Sequence, residues 1–326
     1  MKNIEIYQEK IEQALKDRNY GSFPKELYDP IAYIMSLGGK RMRPVLVLLA
    51  CDYFDGEIEK SLNAAIAIEL FHNFTLVHDD LMDKAPLRRG QITVHEKWNS
   101  NVAILSGDAM VVKAYQEICK VPVDLLPFIL SIFSDTAVKV CEGQQLDINF
   151  EKSQRIAIPQ YIKMIELKTA VLLGGAMKIG ALLGGARNED AQHLYDFGKH
   201  LGIAFQLQDD ILDVYANDEK FGKQKGGDII ANKKTYLLLK AMEMVEGNRY
   251  MKEELHQWIN APHFNSTEKV DAVTNIYNFL NVKELAQKEM KKQYELALSF
   301  LDKIPVNASK KEYLIAFADG LMVREV

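Results

Sequence analysis

Two apolar runs in this chain end in the same five-residue pattern of acids. Phe71 to Val77 leads to Asp79-Asp80-Leu81-Met82-Asp83, and Leu201 to Leu207 leads to Asp209-Asp210-Ile211-Leu212-Asp213. Both read D-D-x-x-D. On a helix the first and last Asp are four positions apart and share a face. Three carboxylates so close repel one another, and apolar neighbours make them harder to solvate. A hard divalent cation removes both penalties, and Mg2+ usually bridges one or two carboxylates to substrate phosphates. One such cluster reads as a solvated helix end or turn, where Asp is common. Two copies with the same spacing and the same apolar approach point to metal ions around a diphosphate. Neither copy has the D-x-D-x-D-G spacing of a calcium loop.

Helical periodicity predicts helices near 4–18, 58–83, 100–120, 124–149, 158–186, 188–216, 233–246 and 266–302. Strand-like alternation is scarce, and prolines fall mostly at segment edges. No low-complexity linker divides the chain, so residues 1–326 read as a single all-α domain of about a dozen helices. The 58–83 segment is apolar on several faces, from Ala64 to Phe71, which marks a central helix. The 188–216 segment is similar from Ile203 to Val214. Two central helices ending in carboxylates are expected to face each other across a cavity, as in bundle-core metal sites. Beyond about residue 240 the helices, with Trp258 and Tyr277, read as packing.

The 326 residues carry a net charge of -5, with 48% hydrophobic and 26% charged side chains. No basic block of the kind that marks nucleic-acid binding is present, so a basic site must be local and aimed at a small anion. Cys51, Cys119 and Cys141 are widely spaced and form no C-x-x-C pair, which argues against zinc and against a disulfide framework. The start lacks the apolar core of a secretory signal, and no apolar stretch is long enough to span a bilayer. A cytoplasmic protein is expected, carrying any lipid-like substrate in an internal pocket.

Basic residues accompany the acids. Gly38-Gly39-Lys40-Arg41-Met42-Arg43-Pro44 places three cations beside a glycine pair just before an apolar helix. The glycines allow close backbone approach, and Pro44 suits a first helical turn. Alternatively this is a solvated loop. Arg88-Arg89-Gly90 follows the first acidic cluster and also reads as a surface turn. Lys168-Thr169 lies on an otherwise apolar helix, where the lysine either snorkels or reaches an anion. Gly222-Lys223 and Gly226-Gly227-Asp228 make a loop beyond the second cluster, and Lys233-Lys234-Thr235 opens the next helix. His72 lies two turns before Asp79. His78-Asp79 spells the H-D of metal phosphohydrolases, a reading that needs further ligands from other helices.

This ordered set resembles the trans-prenyl diphosphate synthases, the polyprenyl synthetase family, from Gly38 to about Thr235. The matching elements also include Glu69-Leu70-Phe71-His72, Gly143-Gln144 with Asp147, and Phe205-Gln206. The resemblance implies an isoprenoid synthase type helical bundle around a central cavity, and a homodimer. It implies that Asp79, Asp80, Asp83, Asp209, Asp210 and Asp213 hold Mg2+, three ions per site, on an allylic diphosphate. Arg88, Lys168, Thr169, Gln206, Lys223 and Lys233 are expected on that diphosphate. Lys40, Arg41, His72 and Arg89 are expected on isopentenyl diphosphate, with Arg43 supporting the loop or a neighbouring acid.

The implied activity is head-to-tail condensation of isopentenyl diphosphate with a dimethylallyl, geranyl or farnesyl diphosphate. Phe74, five residues before Asp79, with Thr75 and the deeper Phe71, is expected to form the floor that sets product length. The Phe-Thr pair, with no insertion in the first motif, resembles a C20-making pattern, so geranylgeranyl diphosphate is expected, with farnesyl diphosphate next. A class I terpene cyclase and a non-catalytic subunit of a heteromeric synthase are the alternatives. The cyclase would carry a different second metal motif, and the subunit would have lost acids or cations that are intact here.

Overall fold

The computed structural model describes residues 2–153, 155–216 and 226–322. In chain order the helices are α1 (Lys2–Lys16), α2 (Lys25–Ser36), α3 (Met42–Tyr53), α4 (Ile58–Met82), α5 (Val94–Lys97), α6 (Ser100–Ile118), α7 (Leu126–Lys152) and α8 (Ile158–Ile165). There follow α9 (Val171–Leu183), α10 (Asn188–Tyr215), α11 (Gly227–Ile230), α12 (Tyr236–Met244), α13 (Arg249–Asn260), α14 (Ser266–Phe279), α15 (Val282–Asp302) and α16 (Ala308–Met322). Among the described residues the strands are one pair, β1 (Leu87–Arg88) and β2 (Gln91–Ile92). The all-α expectation therefore holds. The chain falls into two compact units: residues 1–137, 172–198 and 301–314, and residues 138–171, 199–300 and 315–326.

In the first unit α4 is central, as its apolar surround requires. Ala64 to Ile68, Leu70 and Phe71 are buried, and α4 packs on α3 and α6. Helix α9 approaches α3 through glycine, since a Cβ on Gly180 would lie 2.1 Å from the Val47 carbonyl oxygen. The predicted 158–186 helix is interrupted by a π turn over Glu166–Ala170. It ends where Gly185 turns left-handed (φ +88) and Ala186 N–H bonds back to the Ala181 carbonyl, a standard glycine stop.

The second unit is built on α12 to α15, with Leu237, Leu255, Tyr277 and Val282 in its core and Trp258 packed against it. The predicted 266–302 helix is two helices. Asn281 takes a left-handed conformation (φ 52) between α14 and α15, and asparagine tolerates it. Helix α2 lies outside the predicted segments because Pro30, which reads as a breaker, sits inside it.

Candidate active site

The first acidic motif closes α4. Asp79 and Asp80 lie in its last turn and Asp83 is its C-cap, where Asp83 N–H bonds to the Asp79 carbonyl at 2.8 Å. The carbonyl end of a helix is itself electronegative, so it favours a cation there. The three acids differ in setting. Asp80 is buried, and Arg88 donates to its Oδ1 from Nε at 2.9 Å and from Nη2. Burial raises the Asp80 pKa and the Arg88 bonds oppose that shift. Asp83 is exposed and Asp79 partly so, with Arg88 Nη2 3.8 Å from Asp79 Oδ2.

Arg88 and Arg89 come from the β1–β2 hairpin. Leu87 pairs with Ile92 and Arg88 with Gln91, and the turn residues Arg89 (φ 53) and Gly90 (φ 73) are both left-handed. This is a two-residue primed turn, unforeseen because Arg-Gly is not among its usual dipeptides. Arg89 donates to the Gly38 carbonyl. A Cβ on Gly39 would lie 3.0 Å from Arg89 Cζ, so the glycine pair lets the two loops meet.

Arg41 and Arg43, two residues apart, have different settings. Arg41 is left-handed (φ 46) and only 4% exposed. Its Nε bonds to Glu12 Oε1, Nη1 to Glu69 Oε1 and Nη2 to the Met35 carbonyl, each at 2.7 Å. A guanidinium so enclosed braces the loop and is not presented to an incoming anion. Arg43, on the first turn of α3, places Nη1 3.2 Å from His72 Nε2. Burial, then Arg43, Arg89, Arg88 and Arg41, holds His72 well below its ordinary pKa, so it is neutral. Burial lowers Arg89 as well, with Arg41 and Arg88 adding to the shift against Glu69. A buried histidine and an arginine both shifted down beside other guanidinium groups suit a place for an anion.

His78 does not serve a phosphohydrolase centre. Its Nε2 lies 3.2 Å from the Ile104 carbonyl oxygen, and a Cβ on Gly107 would strike the ring. Its ring also backs Phe74 (centroids 4.8 Å apart), which leans on buried Phe71 at 5.4 Å. Thr75 Oγ1 bonds to the His72 carbonyl at 2.7 Å.

In the second unit the motif lies in the last two turns of α10. Here too the middle acid turns inward. Asp210 is 4% exposed, and it accepts from the Tyr161 hydroxyl and from Gln206 Nε2 at 3.2 Å. Burial raises its pKa to about 7, helped by Asp228 and opposed by Tyr161, Gln206 and Lys233. Asp213 accepts the Asp228 N–H at 3.0 Å and so holds the Gly226–Asp228 loop. Lys168, in the π turn, donates to Asp147 Oδ2 at 2.6 Å. A Cβ on Gly143 would lie 2.1 Å from the Lys168 nitrogen, so α7 meets the π turn backbone to backbone. Thr169 Oγ1 bonds to Gln206 Oε1 at 3.3 Å, and Lys233 is exposed after α11. Gly222 and Lys223 lie outside the described residues.

Adjacent helical residues point about 100° apart, so the inward turn of Asp80 and Asp210 was legible in the spacing. Tyr161 was missed, since it does not stand out from its neighbours, and Asp228 was read only as part of a loop. Among the described residues no three acids, histidines or cysteines close on an ion by themselves. An outer pair four residues apart in each motif fits Mg2+, which keeps coordination positions for water and substrate phosphate.

The family pattern described as polyprenyl synthetase matches residues 24–278. A geranylgeranyl diphosphate synthase of Methanosarcina mazei is 44% identical over 68% of this chain and 68% of its own length. A geranylgeranyl pyrophosphate synthase of Geoglobus acetivorans is 33% identical over 98% of this chain and 96% of its own. A crystal structure of a geranylgeranyl pyrophosphate synthase superposes with a TM-score of 0.93, at 39% identity and 99% coverage of both chains. With its all-α fold and its two acidic motifs, this chain belongs to the polyprenyl synthetase family and is a prenyltransferase.

Proposed function

We propose that the chain is a short-chain trans-prenyl diphosphate synthase. It joins isopentenyl diphosphate head-to-tail to a dimethylallyl, geranyl or farnesyl diphosphate, and its main product is geranylgeranyl diphosphate. The observation that carries this reading is the matched build of the two motifs. In each, the middle acid is buried and bonded inward while the outer pair keeps some exposure. The residues 1–326 act as one catalytic domain, with Asp79, Asp83, Asp209 and Asp213 as the direct magnesium ligands. Asp80 and Asp210 support them from behind.

Bound Mg2+, three ions by family resemblance, supplies charge stabilisation for the departing diphosphate. Arg88, Lys168, Thr169, Gln206 and Lys233, with Lys223, hold the allylic diphosphate. Their donors meet the charge that develops as the C–O bond ionises. Lys40, Arg43, Arg89 and neutral His72 hold isopentenyl diphosphate, with Arg41 bracing the loop. The double bond then attacks C1 of the allylic cation, and a proton leaves to the released diphosphate. The apolar wall of α4 keeps water from the cation.

Phe74, one turn before Asp79, blocks the growing chain; its backing by Phe71 and His78 makes it a stiff floor. The exposed apolar residues Ile104, Leu105 and Val112 on α6, with Phe128 on α7, support a homodimer. No described helix is long and apolar enough to cross a membrane, and we place the enzyme in the cytoplasm.

Incubation with labelled isopentenyl diphosphate, each allylic primer and Mg2+, followed by product sizing, tests the reading. A C20 product is expected. Failure to consume isopentenyl diphosphate refutes a synthase and favours a cyclase or a silent subunit. Asp79→Ala or Asp209→Ala should lower turnover by orders of magnitude.

A further inference from the structure

The second unit holds a polar chain with one member, Tyr161, to which the reaction as described gives no part. It starts at Tyr161, buried on α8, whose hydroxyl donates to Asp210 Oδ2. Asp210 Oδ1 accepts from Gln206 Nε2 at 3.2 Å, and Gln206 Oε1 accepts from Thr169 Oγ1 at 3.3 Å. We propose that Tyr161 is a positioning residue for the allylic diphosphate: by holding the Asp210 carboxylate it fixes where Gln206, and through it Thr169, meet the ligand. The inference rests on the proposed function and names a residue that does not itself touch substrate.

The direction of the chain follows from donor and acceptor chemistry. Asp210 Oδ2 takes the Tyr161 hydroxyl, and Gln206 turns its NH2 towards Oδ1. Its carbonyl then faces Thr169, and only the threonine hydroxyl can donate across that contact. Gln206 is left with one N–H for the anion, while Thr169, whose proton goes to Gln206, meets the diphosphate through a water that donates to both. Thr169 adjoins Lys168 in the π turn, a feature often found at functional sites.

Geometry favours this task over simple packing. Tyr161 lies two turns before Lys168 in sequence, but the intervening π turn changes the register of the faces. A buried phenol on α8 thereby anchors a carboxylate on α10, while Lys168 is held separately by Asp147. Gly202 meets Ala170 at this crossing, where a Cβ would lie 2.6 Å from the Ala170 Cα. The helices are thus in backbone contact, and loss of the phenol hydroxyl leaves them in place.

The test is a double-mutant cycle read by calorimetry. Binding of inorganic diphosphate with Mg2+ is measured for wild type, Tyr161→Phe, Thr169→Val and the double variant. Each single change is expected to weaken binding by about tenfold, the worth of one hydrogen bond to a charged group. The double variant should lose clearly less than the product of the two, because both act through Gln206. Steady-state kinetics should show a higher KM for the allylic substrate at unchanged KM for isopentenyl diphosphate. Tyr294→Phe, which removes another phenol-to-carboxylate bond at Asp319, serves as control and should leave binding unchanged.

Undiminished binding by folded Tyr161→Phe, or strictly additive losses, overturns the inference. Should Tyr161→Phe not fold, Tyr161→Met, which also lacks the hydroxyl, takes its place in the cycle with the same losses expected and the same two results against the inference. If wild type itself fails to bind magnesium diphosphate, the proposed function fails and not merely the part given to Tyr161.

Discussion

Replacing Arg41 with alanine should cost stability before it costs substrate affinity. The Arg41 and Glu69 side chains are 1% and 2% exposed, and their charged atoms are 2.7 Å apart. Without the guanidinium, the Glu69 carboxylate stays buried against the Asn73 Nδ2 donor, at 2.9 Å. The Met35 carbonyl also loses its donor. Glu12, 34% exposed, can turn to water and adds little. Breaking one side of such a buried pair costs about 3–5 kcal/mol. An unfolding entropy of about 2.1 cal/mol/K per residue over 326 residues comes to about 0.7 kcal/mol/K. The melting temperature should then fall by about 4–7 °C if the chain unfolds in one transition. Arg43→Ala should move it by less than about 2 °C and raise the KM for isopentenyl diphosphate about tenfold. Differential scanning calorimetry and steady-state kinetics on both variants decide the matter. An Arg41→Ala enzyme that melts like wild type yet binds isopentenyl diphosphate poorly would refute the bracing role and restore Arg41 as a ligand.

Three further outcomes are expected. Gly143→Ala puts a Cβ 2.1 Å from the Lys168 nitrogen, backbone that cannot swing aside, so kcat should fall and the allylic KM rise. Gly320→Ala, with nothing within 4 Å, should leave both unchanged; equal behaviour of the two variants refutes the close-approach argument. His72, held below 6.5 when folded, is neutral where the unfolded chain is protonated. Stability should therefore rise with pH up to about 6.5 and level off above it. His72→Gln should flatten that slope in urea denaturation between about pH 5 and 7, and an unaltered slope assigns it to another group. Phe74→Ala removes the ring held between Phe71 and His78, so products should lengthen by at least one five-carbon unit. Unchanged product length on chromatography removes Phe74 from that role.

Much of this protein is determined by its local sequence. Helical periodicity sets the all-α class, and the apolar surround of Ala64 to Phe71 makes α4 central, because hydrophobic burial is a sum over faces that a sequence displays. The two acid motifs are equally legible, since residues four apart share a helical face whatever the fold. Other features arise only when distant segments meet. Arg41 and Arg43 are two residues apart with like chemistry, yet contacts with Glu12 and Glu69 make one a brace and leave the other beside His72. The π turn at Lys168 meets another helix backbone to backbone because Gly143 carries no side chain. Tyr161 acquires its partner from a helix 49 positions away. Tertiary structure decides such roles because a side chain's charge, exposure and donor count depend on its neighbours, and those neighbours are not adjacent in sequence.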